Sequence, residues 1–309
     1  NLFDCCINSF DYNQYISNID NMLYFPSIFK MMATLANSLI YLRIKFFLGV
    51  YIKICNNIPI LIINAKKEET FQDRKILIIF LGLGGILEPF YQIIKFFTQK
   101  NYIVIIPIYT SSQADWYNNI HIHEAQFYKN LYTFLNEHLI FNIEILAWSM
   151  GGIIYKGFEK YLSLCKSNDI VIKRVVLFEP LITTRAAIDT YFSQIRSYKS
   201  TLEIFNKFTK NKYRIYNLIF SYILHTELGF LSSNSVGYFS SVELKNEFKG
   251  EYPRYIFISE NDLIFNSIHD EQVLKSNFDS ECVFSDIGYH GNWLCKNKLL
   301  IPKLEEIIK

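Results

Sequence analysis

The sequence lacks several features that would assign it to a common class. Its 31 Lys and Arg residues nearly balance its 29 Asp and Glu residues, so nothing in the overall charge favours a nucleic-acid partner. The six cysteines include no C-x-x-C pair, which leaves zinc-ribbon and thioredoxin-type motifs without support. No Asn begins an N-x-Ser/Thr acceptor. Together, the scattered cysteines and the missing acceptors favour a reducing, intracellular compartment.

Acidic residues are missing from one long stretch near the start of the chain. Residues 21–67 contain none, although basic residues are scattered through them. The apolar stretch Leu35–Ile54 is interrupted by these charges, so the sequence predicts no membrane-spanning helix. We expect a helical, membrane-associated N-terminal segment over residues 1–57, with residues 21–57 as a basic amphipathic helix on a membrane surface. The alternative is a helix packed on the protein's own core.

What the sequence does contain is an alternation of short apolar runs with segments of helical spacing. Such runs are typical of buried strands, and the alternation predicts a mostly parallel sheet covered by helices on both faces. The predicted strands are Ile58–Ile63, Lys75–Leu81, Tyr102–Ile108, Ile143–Ala147, Val171–Phe178, Arg254–Ser259 and Cys282–Ser285. The predicted helices are Phe90–Gln99, His123–His138, Ile153–Tyr161, His269–Ser276 and a terminal helix from Ile301.

The alternation is interrupted at Pro180. Residues 181–250 have a helical pattern rich in aromatic and basic side chains, which is typical of a helical cap inserted between two late strands. We therefore predict an α/β core over residues 58–180 and 251–309, with residues 181–250 as its cap or lid.

The segment from Ala147 to Gly152, with the sequence A-W-S-M-G-G, is the most informative motif. It follows a predicted strand and precedes a predicted helix. A serine on such a sharp turn is exposed and oriented, and the helix N-terminus favours developing negative charge. Glycine at 151 removes a side chain that would crowd the turn. We interpret Ser149 as a nucleophile; the alternative is an ordinary turn with a buried serine.

A glycine-rich loop after the second predicted strand supplies candidate oxyanion donors. In L-G-L-G-G, from Leu81 to Gly85, the glycines let backbone N–H groups point into a site. We predict that the amides of Leu83 and Met150 form the oxyanion hole. Because Leu87 stands where a dinucleotide fingerprint requires glycine, the loop predicts no cofactor.

The remaining members of an acyl-transfer site follow the two last predicted strands. His290, in I-G-Y-H-G, is the predicted general base. Asp262, in S-E-N-D-L-I, is the predicted acid that orients it, and Glu260 and Glu179 are the alternatives.

A second histidine pattern points to a metal only weakly. His121 and His123 form H-x-H-E with Glu124, but no third ligand follows at a recognisable spacing. The sequence therefore predicts no metal site.

Taken together, the order Ser149, Asp262, His290 with the glycine loop upstream resembles the α/β-hydrolase superfamily. The resemblance covers roughly residues 58–309. It departs from the family pattern at Leu81, where the family usually has histidine, and at Ala147, where it usually has glycine. The resemblance implies an α/β-hydrolase fold with Ser149 as nucleophile, His290 as general base and then acid, and Asp262 fixing the imidazole tautomer.

These expectations lead to one principal function and two alternatives. The principal one is a lipase- or esterase-like serine hydrolase that cleaves a small-molecule or lipid ester, or a thioester, with an apolar acyl group. Acyl transfer to an acceptor other than water fits the same triad. A non-catalytic binding or scaffold protein of this fold is the alternative from another class, and Leu81 and Ala147 favour it.

Overall fold

The computed structural model describes residues 49–55, 58–66, 71–82, 90–107, 120–149, 151–165, 169–180, 251–260, 282–287 and 291–309. Eight strands lie in this part of the chain: β1 (Val50–Cys55), β2 (Ile58–Ile63), β3 (Lys75–Phe80), β4 (Tyr102–Pro107), β5 (Asn142–Trp148), β6 (Val171–Phe178), β7 (Arg254–Ser259) and β8 (Cys282–Asp286). Five helices lie in it too: α1 (Tyr91–Gln99), α2 (Ile120–Glu137), α3 (Gly151–Leu164), α4 (Asn292–Cys295) and α5 (Asn297–Ile307).

The strands form one sheet in the order β1-β2-β4-β3-β5-β6-β7-β8. From β4 to β8 every neighbouring pair is parallel, whereas β2 runs antiparallel to both β1 and β4. The prediction of a mostly parallel sheet is therefore confirmed. Parallel order places the carboxyl ends of β5, β6, β7 and β8 at one edge of the sheet, where open α/β sheets usually bind ligands.

The central strands are apolar along their whole length because the sheet is buried there. Every residue of β4 is buried, and so are the five residues of β3 that follow Lys75. Helix α1 shows the complementary pattern, since it buries one face and exposes Gln92 and Lys95 on the other. It packs against β4 and α5, while α3 packs against α2, β3 and β5.

Strand β1 corrects the prediction of a helical segment over residues 1–57. Val50–Cys55 pairs with β2 along its whole length, from Val50 opposite Ile63 to Cys55 opposite Ile58. An adjacent pair of asparagines separates these two strands in the sequence, and asparagine tolerates the left-handed conformations that tight hairpins need. Residues 50–55 of this segment are therefore the first strand of a hairpin. The predicted amphipathic helix over the rest of residues 21–57 lies outside the described residues, apart from Gly49.

The terminal helix begins earlier than predicted, at Asn297, and contains Pro302. The prediction placed its start at Ile301, whereas Pro302 in fact lies inside the helix, where proline is poorly tolerated. Leu300 and Leu304, on either side of the proline, are both fully buried. Burial of these two leucines stabilises the helix at the position where Pro302 cannot donate a backbone hydrogen bond.

The other predicted elements differ little from the structure. β2, β6 and β7 have the predicted bounds, and the ends of the remaining predicted strands shift by one residue at most. α2 and α3 begin two or three residues before their predicted starts. The cap over residues 181–250 and the helix His269–Ser276 lie outside the described residues.

None of the helices in the part of the chain that the structure describes combines the length and the apolar character needed to cross a bilayer.

Candidate active site

Ser149 follows the last residue of β5, and α3 begins two residues later. Its backbone is left-handed, with φ of 52°, which turns the chain sharply out of the strand. The Ser149 N–H donates to the carbonyl oxygen of Phe178 at 2.9 Å, and the Gly152 N–H donates to the Ser149 carbonyl at 3.0 Å. The predicted strand, turn and helix are all present, so Ser149 lies beside the positive end of α3.

Gly151 explains how tightly this turn packs. A Cβ atom at this position would lie 2.3 Å from the carbonyl oxygen of Phe80 and 2.9 Å from that of Leu81. Both atoms belong to the backbone, so they cannot rotate away. Only glycine allows the start of α3 to approach the carboxyl end of β3 this closely.

Ser149 differs from the prediction in its exposure, because only 4% of its surface is accessible. The turn is covered on the β6 side, where the Ser149 N–H bonds to Phe178, and on the β3 side, where Gly151 meets Phe80. A side chain this buried is shielded from bulk water.

The glycine loop begins beside the same turn. A Cβ atom on Gly82 would lie 2.8 Å from Cε3 of Trp148, so the ring lies directly against the loop's backbone. Phe90 packs edge-to-face against the same Trp148 side chain, with 5.9 Å between ring centroids. The predicted oxyanion donors, Leu83 and Met150, lie outside the described residues.

Glu179 occupies the same position on β6 that Ser149 occupies on β5. It directly follows the strand and has a left-handed backbone, with φ of 39°. Its N–H donates to the carbonyl oxygen of Phe257 on β7 at 2.8 Å. Only 3% of its surface is accessible. Its carboxylate accepts hydrogen bonds from the Ser259 hydroxyl at 2.5 Å and from the Gly291 N–H at 2.8 Å.

Three buried polar residues therefore stand in a row along one edge of the sheet. Ser149, Glu179 and Ser259 lie at the carboxyl ends of the adjacent strands β5, β6 and β7. Neighbouring strands are about 4.8 Å apart, so the row is compact. Burial of polar side chains is costly unless they are paired or used, and such a row at a strand edge indicates a site.

The predicted base, His290, lies outside the described residues, but the chain on both sides of it is anchored. Before it, the Lys296 ammonium binds the Asp286 carboxylate and donates to the Ile287 carbonyl at 3.1 Å. After it, Gly291 is held by Glu179, and the Trp293 indole N–H donates to the Ile258 carbonyl at 2.7 Å. The loop that carries His290 thus begins and ends at fixed points beside β7 and β8.

The structure describes two of the three candidate acids, and their environments differ. Glu260 is exposed, and its carboxylate accepts a hydrogen bond from the Ser285 hydroxyl at 3.1 Å. Glu179 is buried and contacts the residue after His290. Asp262, the acid predicted from the sequence, lies outside the described residues.

Two features of this site were not predicted from the sequence: the Ser259 hydroxyl and the Gly291 amide as partners of Glu179. A local signal for Ser259 and Glu179 exists, because each is the first polar residue after the apolar part of a strand, where Ser149 also stands. Gly291 carries no such signal, since its contribution is a backbone N–H.

The second histidine pattern lies on α2, where His121 and His123 fall in the first turn. Among the residues that the structure describes, no three His, Cys, Asp or Glu side chains form a group that could hold a metal ion.

No protein-family model matches the sequence, and a comparison with curated proteins finds no match. Solved structures do match. A 2-hydroxy-6-oxo-6-phenylhexa-2,4-dienoate hydrolase from Rhodococcus sp. strain RHA1 is 13% identical, with 84% of this chain and 98% of that chain covered and a TM-score of 0.59. An esterase from Exiguobacterium antarcticum is 13% identical, with 83% and 98% covered and a TM-score of 0.59.

A membrane phospholipase A, described as a bacterial virulence factor, is 12% identical, with 95% of this chain and 94% of that chain covered and a TM-score of 0.60. Identities this low carry the architecture and nothing finer. With the strand order and the turn at Ser149, they show that this chain has the α/β-hydrolase fold.

Proposed function

We propose that this protein is a serine hydrolase that cleaves a carboxylic ester or thioester with an apolar acyl group. The observation that carries the proposal is the geometry of Ser149, a left-handed serine between β5 and the N-terminus of α3 at the carboxyl edge of a parallel sheet. The neighbours named as an esterase and a hydrolase support the reaction class, and the aromatic residues of 181–250 support the apolar acyl group.

In the proposed reaction the Ser149 oxygen attacks the carbonyl carbon of the substrate while His290 takes the hydroxyl proton. The negative charge moves to the carbonyl oxygen, where the amides of Leu83 and Met150 and the N-terminal end of α3 stabilise it. His290 then gives its proton to the leaving alcohol or thiol, which leaves an acyl group on Ser149. Water, activated by the same imidazole, releases the acid.

The membrane is a proposed location of the substrate. The acid-free residues 21–57 and the neighbour named as a membrane phospholipase both support a lipid ester presented at a membrane surface. A small soluble ester fits the same reaction.

A fluorophosphonate probe tests the nucleophile directly, because it reacts only with an activated serine and stays bound to it. We expect the wild-type protein to be labelled and the Ser149→Ala variant to lose labelling completely. Hydrolysis of a p-nitrophenyl ester should fall by roughly 10³-fold or more in that variant.

Ser163→Ala is the matched control. Ser163 lies on α3, the same helix that follows Ser149, and its exposed hydroxyl donates to the Lys160 carbonyl at 2.7 Å. This variant should be labelled as fast as the wild type. Labelling that survives Ser149→Ala, or a folded wild type that reacts with neither probe nor ester, would contradict the proposed function.

A further inference from the structure

We propose that Glu179, at the end of β6, is the carboxylate that positions the catalytic base of this hydrolase. The inference rests on the proposed function, because His290 is the base that it assigns. It replaces the sequence-based choice of Asp262 with a residue whose contacts the structure describes.

The backbone of Glu179 is held in place by the neighbouring strand. A left-handed backbone costs a non-glycine residue about 1 kcal/mol or more, and such residues persist where their surroundings fix them. Here the Glu179 N–H is bound to the Phe257 carbonyl at 2.8 Å, so β7 fixes the backbone. The resulting turn directs the residue along the carboxyl edge of the sheet, toward β7.

The carboxylate of Glu179 contacts the residue that follows the proposed base. One oxygen accepts from the Ser259 hydroxyl and the other from the Gly291 N–H. Gly291 is joined directly to His290, and consecutive Cα atoms are about 3.8 Å apart. The carboxylate therefore lies at the backbone of the residue after the base.

Glu179 is buried, and Glu260 is exposed. A charge acts strongly on a neighbour where water is excluded and weakly where water screens it. Glu179 is only 3% exposed, whereas Glu260 is exposed and bonded to Ser285. Of these two alternatives, Glu179 is the one whose negative charge can stabilise an imidazolium through the reaction.

The arrangement also agrees with the position of the nucleophile. Glu179 directly follows β6, which pairs with β5, and Ser149 directly follows β5. An acid on β6 is one strand nearer to Ser149 than an acid after β7. Glutamate has one more methylene than aspartate, and the carboxylate reaches Ser259 at the end of β7 and Gly291 just before α4.

The test compares Glu179→Gln with Asp262→Asn and Glu260→Gln in the full chain, with p-nitrophenyl ester hydrolysis as the readout. Glutamine can accept from the Gly291 N–H and donate to the Ser259 hydroxyl, so the fold should survive, and thermal melting checks this. We expect kcat to fall about 10³- to 10⁴-fold in Glu179→Gln with little change in KM. The other two variants should stay within about tenfold of the wild type.

The pH profile separates positioning of the base from a merely structural role. A nearby negative charge favours the protonated imidazole, so its removal should move the acidic limb of kcat/KM to lower pH. A Glu179→Gln variant with wild-type kcat would overturn the proposal. So would an Asp262→Asn variant that loses as much activity as Glu179→Gln.

A titration of the His290 imidazole by ¹⁵N NMR keeps this inference separate from the proposed function, because it needs no turnover. His290→Asn assigns the resonance. We expect the imidazole pKa to be lower in Glu179→Gln than in the wild type, even if no ester is cleaved and no probe reacts. An unchanged imidazole pKa would overturn the role of Glu179 and would leave the Ser149 labelling result unaffected.

Discussion

Ser149 and Glu179 share a backbone conformation that few non-glycine residues adopt. Both have positive φ, and both come directly after the last residue of a strand, on neighbouring strands. In each case the residue's backbone N–H donates a hydrogen bond to a carbonyl of the next strand in the sheet. The Ser149 N–H donates to Phe178, and the Glu179 N–H donates to Phe257. The same local geometry is thus used twice to set a polar side chain at the edge of the sheet.

Gly151 is the residue on which the Ser149 turn depends most. We expect Gly151→Ala to lower the free energy of unfolding by about 3 kcal/mol, or to prevent folding, because the added methyl meets the backbone of Phe80 at 2.3 Å. Urea denaturation measures the loss. Any folded fraction should also react slowly with the fluorophosphonate probe, since the turn must shift.

Gly82→Ala is the comparison variant. Its methyl would lie 2.8 Å from Trp148, which is a side chain and can give way. We expect a smaller loss of stability than in Gly151→Ala. An equal or larger loss would contradict the distinction between backbone and side-chain neighbours.

Ser149 and Glu179 were not equally predictable from the sequence. Ser149 has a local signature, since strand, small residues and helix lie within a few positions of it. Glu179 has partners 80 and 112 residues away in the chain, and one of them is a backbone amide. Sequence reasoning could therefore name Glu179 as one alternative, while its contacts become visible only when β6, β7 and α4 are in place.

Between elements, the contact of β1 with α2 contains the most informative ionisable pair. The Lys53 ammonium donates to Nε2 of His138 at 2.8 Å, and Nδ1 of His138 lies 2.7 Å from the Phe134 carbonyl. This geometry suits a neutral imidazole with its proton on Nδ1. Burial lowers the pKa of His138, and the Lys53 charge lowers it further, against the opposing effects of the Phe134 carbonyl and Glu137.

The lowered pKa of His138 predicts that the protein loses stability on acidification. Below its ordinary pKa of 6.5, the unfolded chain takes up a proton that the folded protein resists, so the free energy of unfolding falls as the pH drops from 6.5 toward the folded-state pKa. Urea denaturation at about pH 7.5 and about pH 5.5 measures this change. His138→Gln should show a weaker loss over the same interval. An equal loss in both proteins would contradict the assignment.

Element types could be predicted where the local pattern was strong. The apolar run of β2 and the mostly apolar runs of β6 and β7 gave the correct bounds, because buried strands need no strict alternation of apolar and polar residues. The pattern was weaker at β1, an edge strand whose Lys53 interrupts the run and whose pairing with β2 gives it its shape. At α5 the local effect of Pro302 was outweighed by burial of Leu300 and Leu304.

At the scale of the molecule, the carboxyl ends and the amino ends of the strands carry different polar groups. The carboxyl edge carries Ser149, Glu179 and Ser259, while a buried ionic network lies at the start of β7. There Arg254 donates to Glu159 of α3 at 2.7 Å and to the Tyr155 hydroxyl at 3.1 Å. Burial raises the pKa of Tyr155, which keeps its hydroxyl protonated. The network ties α3 to β7 at the end opposite to the site.

Breaking the ion pair between Arg254 and Glu159 should lower the stability of the fold without changing the reactivity of Ser149. We expect Glu159→Leu to lower the free energy of unfolding by about 3–5 kcal/mol, because it leaves the Arg254 charge buried without its carboxylate. The folded protein at low temperature should still react with the fluorophosphonate probe at the wild-type rate. Denaturation and labelling are measured on the same preparation.

The double variant Glu159→Leu with Arg254→Met provides the control. Since it removes both charges, it should recover much of the stability that Glu159→Leu loses. A double variant less stable than the single one would show that the rest of the network, and not the ion pair, holds α3 to β7.

The backbone of Ser149 has a consequence for laboratory evolution. Glycine adopts a left-handed conformation freely, so a glycine at this position would relieve the strain that serine bears. A population of variants screened only for heat resistance would gain from that exchange and lose the hydroxyl in the same step. Stability and the proposed activity thus place opposite demands on this residue. Any selection for a hardier form of this protein must therefore assay the proposed esterase activity in every round.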